Sequence, residues 1–296
     1  MEALLSLAFD NLSSYDGAKI RKGLRQVEGL LAQICLSNSS SGRTRSSSLS
    51  SPAAGHDDDD ASGNAPRKDL AQLTQDPAFR EFFKLQEGFE WNVAMRLVGT
   101  LDRLMAKGSD GQNDLLILSA LDLIQGVMLL HPPSKALFAR EQNMNLLLDL
   151  LEPYNCPAIQ SATLLTLVVA LIDTPNNTRT FEGLDGLLTV TSLFKSRSTS
   201  REVKLKLVEF LYFYLMPETP SNPRADQRES VFQRSPSKLS GAFGADGRNG
   251  RKRANSNGVV TLTTAEKQQL LSRHLSSVED LVKDLRTCAP FGGIVC

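Results

Sequence analysis

The chain has 296 residues, and its 33 basic side chains balance its 33 acidic ones, so the net charge at neutral pH is zero. This balance argues against a protein that coats nucleic acid or an anionic membrane, and neither is expected as a partner. Apolar residues make up 41% and aromatic residues only 6%, a composition rich in leucine that favours an all-α fold.

The four cysteines lie far apart with no pairing pattern, which is typical of proteins from a reducing compartment. The first residues are acidic and amphipathic, without a basic leader. The longest apolar run, residues 164–172, is about half of the roughly 20 residues that a bilayer span needs. We therefore expect a soluble, cytoplasmic protein.

Residues 1–36 form a first amphipathic block, in which we expect the N-terminal helices of a larger helical domain. Residues 37–66 are rich in serine, contain the four consecutive aspartates Asp57–Asp60 and have almost no apolar side chains. Such a segment cannot bury enough surface to offset an ordering entropy of roughly 1–2 kcal/mol per residue. It is predicted to be a disordered linker.

Residues 68–217 repeat themselves. Gln160-Ser161-Ala162 opens an apolar run about 42 residues after a similar run that opens at Leu118-Ser119-Ala120, and a third apolar stretch spans 203–216. A period near 40–47 residues with two or three helices per unit is typical of armadillo and HEAT repeats. The prediction is an armadillo/HEAT-like helical solenoid with two disordered insertions, and an unrepeated helical bundle is the alternative.

Two pairs of residues predict helix starts. Asp76 followed by Pro77 indicates an N-cap with proline at the first helical position, and the next helix is expected from about Phe89. Residues 218–260 form a second predicted disordered linker, in which basic residues outnumber acidic ones. After it, Thr263 and Glu266 match a capping box. The apolar seam of residues 262–293 predicts a C-terminal helix that docks on the solenoid, with a short coiled coil to a partner as the alternative.

The sequence lacks the motifs of known catalytic sites. No cysteine has an arginine six residues later, so the phosphate-binding loop of tyrosine and dual-specificity phosphatases is missing. There is no GxxxxGK[ST], HExxH, CxxC or GxSxG motif. His56 beside Asp57–Asp60 resembles a metal site only weakly, because no scaffold fixes these ligands. We predict a protein that is not an enzyme and binds no cofactor or metal.

The two linkers contain matches to kinase substrates. Ser48 and Ser256 each follow arginines at positions −5 and −3, as basophilic kinases require, and Ser235 opens a proline-directed consensus. A phosphate adds −1.5 to −2 charges, so phosphorylation in a linker acts by recruiting or releasing partners. Regulatory kinases acting on the linkers are therefore predicted partners. The cluster 251–253 is alternatively a weak nuclear-import signal.

A partner surface is predicted from the third helix of each repeat, which lines the groove of an armadillo solenoid. One stripe on each of these helices is polar and stacks with the stripes of its neighbours. The predicted partner-binding residues, drawn from this polar stripe, are Asp122, Gln125, Thr163, Thr166, Lys206 and Glu209, with Ser119, Gln160 and Glu202 completing the stripe. The alternative is that these residues only form solvated helix faces.

Several segments resemble one fungal protein family. They are residues 1–10 and 20–35, the stretch Phe82–Asn92, the repeats of 137–217, and Val278–Val282 near Pro290–Gly292. Together they resemble the cell division control protein 14 family of the septation initiation network, which shares no chemistry with the dual-specificity phosphatase of the same name. The resemblance implies a non-catalytic subunit that binds a germinal-centre-class protein kinase at the spindle pole body and promotes septum formation and cytokinesis. The alternatives are a generic armadillo scaffold for a nuclear-import or cytoskeletal client, and an enzyme of unfamiliar fold.

Overall fold

The structure is a computed structural model that describes residues 1–36, 68–106, 111–218 and 261–276. Within these ranges the chain is all-α, as its composition predicts: twelve α-helices, one 3₁₀ helix and no strand. In chain order the elements are α1 (Glu2–Leu12), α2 (Gly17–Cys35), α3 (Leu70–Gln75), α4 (Pro77–Glu87), α5 (Val93–Ala106), α6 (Asp114–Leu130), the 3₁₀ helix (Pro132–Ala139), α7 (Glu141–Asp149), α8 (Pro157–Leu171), α9 (Pro175–Gly183), α10 (Gly186–Lys195), α11 (Arg201–Leu215) and α12 (Thr264–Ser272).

Local capping signals fix two helix starts. Asp76 Oδ1 accepts a hydrogen bond from the backbone N–H of Ala78 at 2.7 Å, and Pro77 opens α4. Thr263 and Glu266 form the reciprocal capping box of α12. Both predicted starts are confirmed, because such caps depend only on residues within one helical turn.

The start of α5 differs from the sequence expectation. The helix begins at Val93 rather than near Phe89. The buried Gln86 side chain accepts a hydrogen bond from the N–H of Val93 at 2.8 Å and donates one to the carbonyl of Trp91 at 3.1 Å. These bonds satisfy the loop backbone without a helix, so the chain turns before α5 begins.

The long helices α6, α8 and α11 pack side by side, α6 against α8 and α8 against α11, while α2 and α5 pack on α6. Hydrogen bonds join equivalent positions of the intervening shorter elements. Asn177 Nδ2 donates to the carbonyl of Lys135 at 2.8 Å, and Thr180 Oγ1 donates to the carbonyl of Ala139 at 3.2 Å. The sequence period of about 42 residues therefore corresponds to a period in the contacts.

The core contains an aromatic residue at equivalent positions of the two units. Phe138 of the 3₁₀ helix and Phe181 of α9 are fully buried, and Phe181 packs against Phe210 of α11 with ring centroids 5.6 Å apart. Gly186 is required beside this cluster, because an added Cβ would lie 2.4 Å from the Phe181 ring. This core fixes how α9, α10 and α11 meet.

The described structure resumes at residue 261. The backbone N–H of Glu218 donates to the carbonyl of Leu262 at 3.1 Å, and α12 packs on α11 with Leu271 buried. Glu218 is the first residue of the second predicted linker, which is predicted from the composition of residues 218–260, yet its side chain is only 6% exposed. The remaining residues of both predicted linkers, and residues 277–293 of the predicted C-terminal helix, lie outside the described ranges.

Candidate partner-binding face

The structure buries four of the nine residues of the predicted polar stripe. Gln125, Thr163 and Thr166 are at most 8% exposed and lie where α6 packs on α8. Gln125 Nε2 donates to Thr166 Oγ1 at 2.9 Å, and the buried Gln160 donates to the carbonyls of Leu151 and Glu152, just after α7. The expectation that these residues face an open groove is wrong, since all four are buried inside the packed domain.

A physical reason explains their burial. Thr163 and Thr166 donate their hydroxyl hydrogens to the carbonyls of Ile159 and Ala162, at 2.8 and 2.9 Å. A hydroxyl that bonds to the carbonyl four residues earlier needs no water, so threonine is tolerated in a helix–helix contact. The polarity of these two threonines therefore does not indicate that they face solvent.

The charged members of the stripe are accessible. Asp122 and Glu209 are exposed and Lys206 is partly exposed. Lys206 and Glu209 form a surface ion pair at 2.8 Å, one turn apart on α11. Desolvation by neighbouring side chains, and secondly the nearby Glu28 carboxylate, raise the pKa of Asp122. Partner binding by these three residues stays a prediction.

The exposed side of the long helices interleaves large apolar residues with charged ones such as Asp122 and Glu209. Each helix presents two large apolar residues separated by close to a whole number of turns, so both lie on one side. Their exposures range from 42% to 71%. We define the open face as Leu115 and Leu129 of α6, Leu165 and Ile172 at α8, and Leu205 and Met216 at α11.

Charged side chains border the open face at α2. A groove of about 380 Å³ between α2 and α6 is lined by Arg21, Arg25 and Glu28 on one side and by Leu115 and Asp122 on the other. The rim of the face thus carries both signs of charge beside exposed leucine. Apolar centres with polar rims are the usual anatomy of protein–protein interfaces.

Comparison with known proteins identifies the family of this chain. The model of the family described as "Cell division control protein 14, SIN component" matches residues 1–291. The chain belongs to this family. It is also 28% identical over 300 residues to "Cell division control protein 14" of Schizosaccharomyces pombe (strain 972 / ATCC 24843), with 99% of this chain and 97% of that protein covered. No solved structure matches the chain.

The family resemblance read from the sequence is therefore confirmed, and the chain is a cell-division protein of the septation initiation network. In the described parts of this cell division control protein 14 family member, no helix is long and apolar enough to cross a membrane. The predicted phosphorylation sites Ser48, Ser235 and Ser256 lie outside the described residues.

A buried charge cluster, which we call the clasp, holds the C-terminal segment of this family member. Glu218 contacts Arg179 at 2.5 Å and Lys267 at 3.2 Å, and Glu182 contacts Arg179 at 2.9 Å and accepts a hydrogen bond from the Tyr214 hydroxyl at 2.7 Å. Burial raises the pKa of Glu182 and Tyr214 and lowers that of Lys267. Because every charge has an opposite neighbour, the clasp is a structural joint between α9, α11 and α12.

The surroundings of the titratable side chains bear on what chemistry the described residues could support. No group of three or more His, Cys, Asp or Glu among them could hold a metal ion. His131 is buried, with Nδ1 2.8 Å from Ser134 Oγ and its ring edge-on to Phe83. Burial raises the pKa of the Cys35 thiol, which disfavours the thiolate that a nucleophile needs.

Proposed function

We propose that this chain is a non-catalytic adaptor that binds a germinal-centre-class protein kinase in the septation initiation network, at the spindle pole body, and so promotes septum formation and cytokinesis. The stacked long helices serve as an armadillo-like solenoid, and the open face is the kinase-binding surface. Membership of the family supports a role in the septation initiation network, and the open face supports the role of adaptor.

The observation that carries this proposal is the presence of exposed large apolar side chains on each of the three neighbouring long helices. Two large apolar side chains are exposed on each of three helices that pack next to one another. Isolated exposed leucines are normal on soluble proteins, but an aligned set across neighbouring helices marks an interaction site. Burial of such side chains at a partner contributes about 25 cal/mol per Å² of apolar area.

The test is capture of the kinase by the purified full-length chain. We expect Leu165→Glu combined with Leu205→Glu to weaken capture at least roughly tenfold, which corresponds to about 1.4 kcal/mol. Both side chains are more than half exposed, so the variant should fold normally by circular dichroism.

Leu188→Glu is the matched control, because Leu188 is 47% exposed but lies on α10, outside the layer of long helices. It should capture the kinase as well as the unaltered chain does. Undiminished capture by the double variant would place the kinase on another surface. Phosphatase and kinase assays on the purified chain are expected to stay at background, and activity above background would exclude a purely non-catalytic role.

A further inference from the structure

Helix α2 carries four basic side chains within two turns, and Glu28, which lines the groove beside Arg21 and Arg25, is the nearest carboxylate that follows them on the helix. Lys19, Arg21, Lys22 and Arg25 are all exposed, and we call them the basic ridge. Their Cα positions span about 9 Å along the helix axis. None of the four forms a salt bridge with any residue in the described ranges. The ridge lies in the N-terminal half of α2, where the helix macrodipole adds further positive potential.

The chain contains an acidic segment of matching size. Asp57–Asp60 are four consecutive carboxylates in the interval between α2 and α3, outside the described residues. Four extended residues span about 10 Å, close to the length of the ridge. The tract and the ridge therefore carry opposite charge and have similar lengths along the helix axis. Lys19 and Arg21 lie about 160° apart around that axis, so the tract contacts only some of the four side chains at once.

Both ends of that interval are fixed at the C-terminal end of α2. The backbone N–H of Lys68 donates to the carbonyl of Cys35 at 2.9 Å, and Lys68 Nζ donates to the carbonyl of Ile34 at 2.9 Å. The part of the chain from residue 60 to residue 68 reaches at most about 28 Å. Along α2, Arg25 lies about 15 Å and Lys19 about 24 Å from Cys35, so the whole ridge is within reach.

We propose that the acidic tract Asp57–Asp60 docks in cis on the basic ridge of α2. Exposed ion pairs are individually weak, but the tether holds the carboxylates near the ridge at an effective concentration in the millimolar range. The contact is independent of any kinase partner. Since Arg21 and Arg25 also line the groove between α2 and α6, the docked tract occupies the border of the open face.

The test is zero-length carbodiimide crosslinking of the full chain, followed by peptide mass spectrometry. This reagent joins carboxylates to lysine amines in direct contact. We expect Asp57–Asp60 to link to Lys19 or Lys22 at low salt, with a loss of roughly fivefold when sodium chloride is raised to about 500 mM. Arg21→Ala with Arg25→Ala keeps both lysines but halves the ridge charge, and it should lower the yield by a similar factor.

Arg197→Ala with Arg201→Ala is the matched control, because it removes two exposed arginines outside α2 and should leave the yield unchanged. As a second measurement, Asp57–Asp60→Asn should raise the rate at which an amine-reactive ester modifies Lys19 and Lys22. Three results would overturn the proposal. The first is crosslinks that are spread equally over Lys84, Lys195 and Lys204. The second is crosslinks between isotopically distinct chains, which indicate a second copy. The third is a reactivity of Lys19 and Lys22 that the asparagine variant leaves unchanged.

Discussion

Leu165 and Thr166 are neighbours on α8, yet the leucine is 51% exposed on the open face and the threonine is fully buried against α6. The same contrast holds on α6, where Gln125 is buried while Leu129 is exposed. In both helices the polar side chain is buried and the apolar side chain is exposed to solvent. Polarity alone is therefore a poor guide to which stripe of an apolar helix faces solvent.

The two stripes differ in how their atoms are satisfied. The buried stripe satisfies its hydroxyl and amide groups with carbonyls and with each other, so desolvation costs little. The exposed leucines leave more than half of their side-chain surface in solvent, which is the arrangement expected where a partner buries them. The comparison therefore separates a polar packing contact from an apolar binding surface.

The largest effect should come from Thr166→Asp. It places an unpaired carboxylate in the contact between α6 and α8, and we expect a loss of at least roughly 4 kcal/mol in the free energy of unfolding. Leu165→Asp, one residue earlier, should change stability by only about 0.5 kcal/mol. Chemical denaturation of both variants measures the difference. Equal midpoints would show that the two stripes are not packed as described.

The clasp should give the next largest effect. Glu218→Ala leaves Lys267 buried without its carboxylate, and we expect a loss of about 3 kcal/mol together with faster hydrogen exchange in α12. Lys206→Ala is the control, because its ion pair with Glu209 is exposed and should contribute about 0.5 kcal/mol or less. If the backbone amides of α12 exchange at the same rate in both variants, the charges of the clasp do not stabilise the packing of that helix.

A smaller effect is expected from the charges beside the open face. Reversing Asp122, Lys206 and Glu209 together should leave the circular-dichroism spectrum intact and weaken kinase capture about tenfold, equivalent to about 1.4 kcal/mol. The measurement is kinase capture at two salt concentrations, since rim charges act through screened electrostatics. Capture that is unchanged at low salt would remove these residues from the binding surface.

The smallest effect concerns a buried polar group that lacks one partner. His131 Nε2 has no hydrogen-bond partner in the described structure, and burial lowers the pKa of this histidine, with Glu87 opposing the shift. Its folded pKa lies below an unfolded value of about 6.5, so protonation favours the unfolded chain as the pH falls through that value. The free energy of unfolding should therefore drop more between pH 7.5 and 5.5 in the natural chain than in His131→Gln. Parallel pH profiles would show that His131 titrates as it does when unfolded.

Features set by neighbouring residues could be predicted from the sequence. The N-cap at Asp76 and the capping box at Thr263 need only side chains within one turn, and both form as expected. The sequence period of about 42 residues also appears in the contacts, because Asn177 donates a hydrogen bond to the carbonyl of Lys135, which lies 42 residues earlier. The start of α5 could not be predicted from the sequence, because the Gln86 side chain forms hydrogen bonds with backbone groups of the loop before α5 and no local sequence pattern indicates them.

The sequence by itself determined the all-α class, the spacing of the repeats and the family, because these depend on composition, local bonding and residue order. Only the tertiary structure decided which stripe of α6, α8 and α11 faces outward and that Glu218 belongs to a buried joint. A helix that is apolar nearly all round has no preferred face of its own. Which side remains exposed is determined by the helices that pack against it and by the hydrogen bonds that its polar groups form with them.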